Sequence, residues 1–216
     1  MKDSGVEWLG EVPAEWTVKK LKNVCSQSAL YGANIASSQY EEEGVRFLRT
    51  TDISDDGVLK NGGVFVQATL IEDYMLNDGD LLISRSGTVG RSFLYKSQHH
   101  GLCAYAGYLV RFVPSSNVSP EYLFLFTKTQ AFQKFLQVMA ISSTIENVNG
   151  EKYANAPFCI PPLREQIAIA AFLDRETAKI DMLIERCETA IELFKERRIA
   201  LISAAVTGKI DVRDEV

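Results

Sequence analysis

The chain has 216 residues, of which 46% are hydrophobic and 24% are charged. These proportions are typical of folded globular proteins and exclude intrinsic disorder, because enough apolar surface is present to build a core. The formal net charge of −5 excludes a uniformly basic nucleic-acid-binding protein.

The sequence gives no indication of a membrane or exported protein. No run reaches the roughly 18 uninterrupted apolar residues of a membrane-spanning helix. The opening MKDSGVEWLGEVP lacks the basic-then-apolar pattern of a signal peptide. We therefore expect a cytoplasmic protein with no membrane partner.

The first part of the chain, up to about Cys159, alternates short strand-like runs with turns. Runs rich in β-branched and aromatic residues predict strands at 45–50, 62–67, 80–86, 91–96 and 108–114. Gly, Asp and Asn in SDDG, LNDGD and SGTVG supply turns. The pattern predicts a globular mixed α/β domain.

A single helix is predicted after these strands. Ser119 is a favourable N-cap, Pro120 suits the first helical position, and apolar residues continue at helical spacing to about residue 140. We assign this helix to the core and give it no recognition role. Its predicted core residues are Leu123, Phe126, Phe132, Phe135 and Leu136.

Residues 81–120 contain no Asp or Glu, although the chain as a whole is acidic. Arg85, Arg91, Lys96 and Arg111 lie in this window. The window therefore predicts a local positive face. An ordinary solvated sheet edge with a chance depletion of acids would give the same pattern.

Composition changes at Ile160-Pro161-Pro162. From residue 163 to about residue 205 there is no Gly or Pro, and Thr207-Gly208 follows. This predicts one helix of about 60–65 Å, which must extend beyond the globular domain. Together these elements predict an α+β fold, a globular mixed α/β domain followed by one long coiled-coil-forming helix.

A seam with alternating spacings of four and three runs along this helix, as in a coiled coil. A second long helix from a partner must cover the seam. The alternative, a helical hairpin folded on itself, finds no turn residue in the segment. The seam comprises Gln166, Ala170, Leu173, Thr177, Ile180, Ile184, Cys187, Ile191, Phe194, Arg198, Leu201 and Ala205.

The four cysteines, Cys25, Cys103, Cys159 and Cys187, form no CxxC pair. Only two histidines, which are adjacent, accompany them, so a structural zinc site is disfavoured. We expect reduced, mostly buried thiols and no bound metal.

Three segments resemble the specificity subunits of type I restriction-modification systems. They are DSGVEWLGEVPAEWTVKKLKNV, GDLLISRSGTVGRS and, most specifically, IPPLREQIAIAAFLDRETAKIDMLIERCETAIELFKERRIALISAAVTGKIDV. The resemblance implies a target-recognition domain at 1–160 and a conserved helical region at 161–216. Family members usually carry two of each in tandem. With one of each, this chain is either a natural half-length subunit that must dimerise or the C-terminal half of a longer chain.

The resemblance implies that the chain reads one half of a bipartite double-stranded DNA target while its helix sets the half-site spacing. Modification subunits would methylate adenine with S-adenosylmethionine, and restriction subunits would add ATP-driven cleavage. The sequence contains no GxGxxG, GxxxxGK[ST] or [DN]PP[YF] motif, so we expect no catalysis and no cofactor on this chain. The alternatives are a coiled-coil scaffold without DNA reading and a stand-alone methyltransferase.

Candidate DNA contacts are polar residues on loops, because Arg, Asn, Gln, Ser and Thr read bases and phosphates. The best segment is SRSGTVGRS, with Arg85, Ser86, Thr88 and Arg91. A tight hairpin with an exposed arginine is the competing interpretation of that segment. Two further segments contribute the candidates Arg46, Arg49, Thr50, Ser143, Thr144, Asn147, Asn149 and Lys152.

The exposed seam predicts a homodimer. The resemblance implies antiparallel pairing, and an axis near Ile184 and Cys187 would set Ile180 against the partner's Ile191. The candidate dimer residues are Leu173, Thr177, Ile180, Ile184, Cys187, Ile191, Phe194 and Leu201.

Overall fold

The computed structural model describes residues 1–141 and 148–211. The strands are β1 (Lys2–Asp3), β2 (Glu11–Val12), β3 (Thr17–Lys20), β4 (Cys25–Tyr31), β5 (Val45–Leu48), β6 (Val64–Val66), β7 (Leu81–Ser84), β8 (Ser92–Leu94), β9 (Cys103–Tyr105), β10 (Leu109–Pro114) and β11 (Pro157–Ile160). The helices are α1 (Ser97–His100), α2 (Pro120–Thr127), α3 (Gln130–Ile141), α4 (Gly150–Ala154) and α5 (Leu163–Val206). This mixture of strands and helices, followed by a long helix, confirms the predicted fold class.

A four-stranded sheet has the order β4-β10-β7-β8, and each neighbouring pair is antiparallel. Because strand direction alternates, the end of β4, the start of β10, the end of β7 and the start of β8 meet at one end of the sheet. The residues at or next to these strand ends are Tyr31, Tyr108, Arg85 and Arg91. The sheet therefore gathers residues from distant parts of the sequence.

Smaller sheets complete the strand pairing. The order β6-β5-β9 joins an antiparallel and a parallel pair, with β5 in the middle. β3 pairs with β11, and β1 pairs with β2, both antiparallel. The β3–β11 pair places the chain that enters α5 beside a segment near the start of the sequence.

The five strands predicted from the sequence are confirmed as β5, β6, β7, β8 and β10. Sequence analysis missed β1, β2, β3, β4, β9 and β11. The segments TVKK and CSQSALY carry several polar residues, so they lack a clear strand signal. Hydrogen bonds from the distant partners β11 and β10 make them strands, which shows how tertiary pairing overrides local propensity.

The prediction of a single helix over residues 120–140 is wrong, because α2 and α3 are separated at Lys128 and Thr129. The Thr129 hydroxyl donates to the Phe126 carbonyl at 2.7 Å and accepts from the Phe132 N–H at 3.3 Å. One side chain thus satisfies groups at the end of α2 and the start of α3. The predicted core role is confirmed, since all of Leu123, Phe126, Phe132, Phe135 and Leu136 are buried.

Strand β7 is buried on both faces. Leu81 and Ile83 pack into the main core cluster with α2 and α3, whereas Leu82 packs into a second cluster with Phe93 and Tyr105. The loop that follows β7 therefore starts from a strand with little freedom to move.

The chain divides into two compact units, unit 1 (Met1–Ala170) and unit 2 (Ala171–Val216). Gln166, near the start of α5, is buried in unit 1; its Oε1 accepts the Ser119 N–H at 2.9 Å and its Nε2 donates to the Pro161 carbonyl at 2.8 Å. Ala170 is also buried. Assigning Gln166 and Ala170 to an exposed seam was therefore wrong. The domain boundary placed at residue 160 stays a prediction.

The long helix α5 is continuous over 44 residues, which confirms its predicted extent. It ends as the Thr207-Gly208 pair indicates, because Gly208 has a φ of +73°. The Lys209 N–H donates to the Ala204 carbonyl at 2.8 Å and the Gly208 N–H to the Ala205 carbonyl at 3.2 Å, a Schellman motif. Among the described residues, no helix is long and apolar enough to cross a membrane.

Candidate nucleic-acid interface

The loop between β7 and β8 is held tightly at its base. The Ser84 N–H donates to the Arg91 carbonyl at 2.8 Å, and the Gly90 N–H donates to the Ser84 carbonyl at 3.0 Å. The buried Tyr153 hydroxyl also donates to the Ser84 carbonyl, at 2.8 Å. Gly90 has a φ of +85°, and a Cβ there would lie 2.2 Å from Leu136 Cδ1. The loop therefore packs against α3 and needs glycine at this point.

Arg85 begins this loop and contacts two exposed tyrosines. Its N–H donates to the Tyr108 carbonyl at 2.9 Å, and its carbonyl accepts the Val148 N–H at 3.0 Å. Its guanidinium carbon lies 5.0 Å from the centroid of the Tyr31 ring, a cation–π contact. We call Tyr31, Arg85 and Tyr108 the tyrosine–arginine patch.

Sequence analysis missed Tyr31 and Tyr108. Both are substantially exposed, at 43% and 61%, which is unusual for aromatic rings next to strands. The available signal was a tyrosine at a strand end beside a glycine, Tyr31-Gly32 and Gly107-Tyr108. Ser86 is half-buried and Thr88 is exposed on the same loop.

Arg91 closes the loop and contacts the protein in a different way. Its Nε donates to Asp55 Oδ1 at 2.9 Å, its Nη1 donates to the Ile53 carbonyl at 2.7 Å, and its Nη2 also bonds Asp55. Only 14% of its side chain is exposed. These contacts tie β8 to residues 53–55, which is a positioning role; DNA contact by Arg91 stays a prediction.

Lys128 lies next to this cluster and is partly buried. Its Nζ donates to the Asp55 carbonyl at 3.0 Å and lies 4.8 Å from the centroid of the Phe124 ring. Burial lowers the pKa of Lys128 to about 8, although the carboxylates of Asp55 and Asp56 act in the opposite direction.

This lowered pKa predicts a pH dependence of stability. Between pH 8 and pH 10.5 the folded protein has lost the Lys128 proton while the unfolded chain retains it, so stability rises with pH in this window. We expect the free energy of unfolding of the wild type to increase from pH 7 to pH 10 relative to that of Lys128→Met. Urea unfolding at both pH values measures this difference. Lys22→Met, at an exposed position, controls for loss of a charge; an equal pH response of wild type and Lys128→Met would contradict the prediction.

Arg46, Arg49 and Thr50 lie on β5 and the turn after it. Arg46 Nη2 donates to the carbonyls of Lys60 and Gly62, at 2.7 and 2.8 Å. Arg49 forms a two-bond pair with Asp52, Nε to Oδ2 at 3.0 Å and Nη2 to Oδ1 at 2.8 Å. Thr50 is half-buried. Both guanidinium groups thus stabilise turns, and their DNA contact stays a prediction.

The third candidate segment reaches the tyrosine–arginine patch through α4. Asn149 caps this helix, its Oδ1 accepting the Lys152 N–H at 2.9 Å, and Lys152 is half-buried. The Gly150 N–H donates to the Tyr31 hydroxyl at 2.9 Å. Ser143, Thr144 and Asn147 lie outside the described residues.

The acid-free window does not give the positive face that we predicted from it. Arg111 Nε lies 2.7 Å from Asp80 Oδ2, and Lys96 Nζ lies 3.2 Å from Glu121 Oε1. Arg91 pairs with Asp55, as described above. Folding brings these carboxylates to the window from outside or from its edge, so Arg91, Lys96 and Arg111 are each paired with an acid.

The cysteines differ in exposure. Cys103 and Cys159 are buried, Cys25 is half-buried and Cys187 is exposed on α5, within the predicted seam. Burial raises the pKa of Cys25 to about 12 and that of Cys103 to about 11, which disfavours the nucleophilic thiolate form of both. In the described part of the chain, no group of three or more His, Cys, Asp or Glu residues is placed to hold a metal ion.

The predicted seam forms an exposed apolar stripe along α5 within unit 2. Ile184 is the most buried of its large apolar residues after the half-buried Leu173, yet it is 50% exposed, and Phe194 is 66% exposed. Thr177 turns its hydroxyl to the Leu173 carbonyl at 2.8 Å. The other exposed members are Ile180, Cys187, Ile191 and Leu201.

Comparison with known protein families places this geometry in context. Residues 13–193 match the family model described as the type I restriction modification DNA specificity domain. The chain belongs to this family. The match includes the four-stranded sheet, the loop after β7 and most of α5, so it confirms the resemblance seen in the sequence.

Curated relatives within the family are distant in sequence. The StySPI specificity subunit of Salmonella potsdam, a type I restriction enzyme subunit, is 25% identical over 93% of this chain and 44% of its own length. The EcoKI specificity subunit of Escherichia coli is 24% identical over the same shares of both chains. The chain therefore spans less than half the length of these relatives.

Solved structures of specificity subunits share the fold. A chain from a structural study of assembly and conformational transition in a type I R-M system aligns with a TM-score of 0.69, at 23% identity, over 91% of this chain and 47% of that chain. The HsdS subunit of Thermoanaerobacter tengcongensis aligns with a TM-score of 0.60, at 21% identity, over 81% of this chain and 40% of that subunit.

Proposed function

We propose that this chain is a DNA-reading component of a type I restriction-modification complex and has no catalytic activity of its own. Unit 1 reads one half of a bipartite double-stranded target. Modification subunits, which bind S-adenosylmethionine, supply methyl transfer, and restriction subunits, which use ATP, supply cleavage. The complex acts in the cytoplasm, where chromosomal DNA is accessible to it.

The observation that carries this proposal is the tyrosine–arginine patch within a DNA specificity domain. The half-buried Arg85, the exposed Tyr31 and Tyr108 and the exposed Thr88 lie at or near one end of the four-stranded sheet. Hydrogen-bond donors that are held rigidly at the end of a sheet can contact base edges, because a hydrogen bond to a base requires precise geometry. Membership of the DNA specificity family does not favour the alternative of a coiled-coil scaffold that reads no DNA.

Pairing of two chains through α5 is part of the proposal. The stripe on unit 2 exposes large apolar residues over many turns, and burying such a surface favours association with a second helix. A homodimer would present two identical reading units and would therefore read an interrupted palindrome.

Loss of DNA binding on substitution of the loop arginines tests the proposal. We expect Arg85→Ala with Arg91→Ala to weaken duplex binding. A lost base contact costs about 1–3 kcal/mol, and each lost phosphate contact lowers the slope of log affinity against log salt concentration by about one. Affinity is measured at several salt concentrations. Lys2→Ala with Lys22→Ala removes the same charge at exposed positions and should bind like the wild type. Unchanged affinity and salt slope in the arginine variant would remove the loop from the interface, and a wild type that binds no duplex would support a scaffold.

The purified chain is expected to transfer no methyl group to DNA. Labelled S-adenosylmethionine is incubated with duplex and a preparation free of modification subunit. Incorporation of label above that of heat-denatured protein would overturn the non-catalytic assignment. A second reaction that also contains a modification subunit is the positive control. In it we expect adenine methylation, and the positions of the methylated adenines give the target sequence.

A further inference from the structure

The exposed aromatic rings of unit 1 lie at one end of the four-stranded sheet. Among the described residues of this unit, Tyr31 and Tyr108 are the only exposed aromatic residues, at 43% and 61%, and every other ring is buried or half-buried. Tyr31 ends β4 and pairs with Val110 of β10, and Tyr108 lies two residues before Val110. Tyr108, the more exposed of the two, therefore lies at the end of the sheet that carries the loop after β7.

A tight turn between β9 and β10 carries Tyr108. The Leu109 N–H donates to the Ala106 carbonyl at 2.9 Å, which closes a β-turn with Gly107 and Tyr108 at its two central positions. Because the turn is this short, the ends of the two strands determine where the Tyr108 backbone lies.

Three segments that are distant in the sequence hold this turn. Its first two N–H groups donate to the carbonyls of Leu48, at 2.9 Å, and Ala33, at 2.8 Å. The Tyr108 carbonyl accepts the Arg85 N–H at 2.9 Å. The end of β5, the segment after β4 and the loop after β7 thus all bond to the backbone of the turn.

Two glycines allow these segments to approach one another. A Cβ at Gly107 would lie 2.4 Å from Asn34 Oδ1, and a Cβ at Gly32 would lie 2.2 Å from the Tyr105 carbonyl oxygen. Neither glycine has a positive φ, so both are needed for space. A larger residue at either position would displace the turn that carries Tyr108.

The ring of Tyr108 offers apolar surface on a backbone that is fixed. A tyrosine side chain has two χ angles, so ordering it against a ligand costs little conformational entropy, and tyrosine is enriched among the residues that dominate binding energy. On the major-groove edges of base pairs, the donors and acceptors are joined by one apolar group, the methyl group of thymine. Contact with that methyl group is how an apolar ring can distinguish one base from another in this groove.

We propose that Tyr108 is a specificity-determining residue whose ring packs against the methyl group of a thymine in the major groove. This inference deepens the proposed function and rests on it. Burying the methyl group adds affinity, and cytosine, the other pyrimidine, presents no methyl group there. The three segments and two glycines that hold the turn keep the ring in place for this contact.

Replacing single thymines by uracil tests this contact. Selection from a random duplex library with the full chain first gives the target. Uracil keeps the hydrogen-bonding groups of thymine and lacks only its methyl group. We expect one thymine position, on either strand, where uracil lowers the affinity of the wild type by about 3- to 10-fold, as expected for a methyl group that is no longer buried. Tyr108→Ala should bind the thymine duplex more weakly by a similar or larger factor, and should bind the uracil and thymine duplexes equally at that position.

Two further variants separate the ring from other effects. Tyr108→Phe keeps the ring and should retain most of the sensitivity to uracil. Leu102→Ala is the matched control, because Leu102 is 70% exposed next to the opposite end of β9. It removes exposed apolar surface away from the turn and should bind both duplexes like the wild type. Thermal unfolding midpoints check that each variant is folded.

The outcomes distinguish this inference from the proposed function. A wild type that enriches no sequence contradicts both. A wild type that selects a sequence but is insensitive to uracil at every position contradicts thymine reading and leaves DNA reading by unit 1 intact. The same conclusion follows if Tyr108→Ala remains as sensitive to uracil as the wild type. A loss in Tyr108→Phe equal to that in Tyr108→Ala would assign the contact to the hydroxyl group and overturn the methyl contact.

Discussion

Arg111→Met is expected to destabilise unit 1 by about 3–5 kcal/mol, because removing one partner of a buried ion pair leaves the other charge uncompensated. The remaining group is Asp80, which is 1% exposed and whose Oδ2 lies 2.7 Å from Arg111 Nε. Burial already raises the pKa of the Asp80 carboxyl, against the opposing effects of the Asn77 N–H and Arg111. Both tryptophans, Trp8 and Trp16, lie in unit 1, so fluorescence during urea unfolding measures the loss.

A double variant provides the matched control for this ion pair. Asp80→Asn retains an oxygen that can accept the Asn77 N–H, which now donates to Asp80 Oδ2 at 2.6 Å. Combined with Arg111→Met, it leaves no buried charge, so much of the lost stability should return. The single variant should also lose less stability at pH 5 than at pH 7, since without Arg111 the protonated Asp80 is favoured in the folded state. A double variant as unstable as the single one would show that lost packing, and not an unpaired charge, is responsible.

Ile184→Lys with Ile191→Lys is expected to convert a dimer of the chain into monomers. The two residues are 50% and 52% exposed in the single chain and belong to the seam on α5. Pairing would bury four unpaired lysines per dimer, at a cost of several kcal/mol for each charge. Light scattering at micromolar concentration measures the mass, and DNA binding should weaken because half-sites are no longer bridged.

Thr189→Lys with Glu196→Lys is the control for this seam. Each position lies five residues after its counterpart, about 140° around the helix, and both residues are exposed. These substitutions add charge without touching the seam and should leave the dimer intact. A wild type that is monomeric at micromolar concentration, or a seam variant that remains dimeric, would contradict pairing through this stripe.

Local signals were sufficient for the elements whose stability depends on nearby residues. The absence of Gly and Pro between residues 163 and 205, followed by Thr207-Gly208, determined the extent of α5 to within a residue. Runs rich in β-branched, aromatic and other apolar residues located β5, β7 and β10. Such signals work because helix propensity, capping and strand alternation act over a few residues. Local reasoning failed at Thr129, where one hydroxyl is shared between two helices.

The candidate site depended on contacts between distant residues. The loop containing Arg85 was recognisable from its glycines and polar residues, but the placement of Tyr31 beside it was not, since Tyr31 and its hydrogen-bond partner Gly150 lie 119 positions apart. The same applies to the acid-free window. Its cations were counted correctly, yet Asp55, Asp80 and Glu121 pair with three of them only after folding.

The sequence by itself determined the family, the α+β fold, the long helix with its apolar stripe, and the loop that carries Arg85. Only the tertiary structure decided that Arg46 and Arg49 bond to groups in nearby turns and that Arg85 lies over the ring of Tyr31. The physical reason is that composition records how many charges a segment has, whereas the antiparallel sheet determines which groups meet at its end. Charge pairing and side-chain orientation follow from that packing, and no local pattern in the chain encodes them.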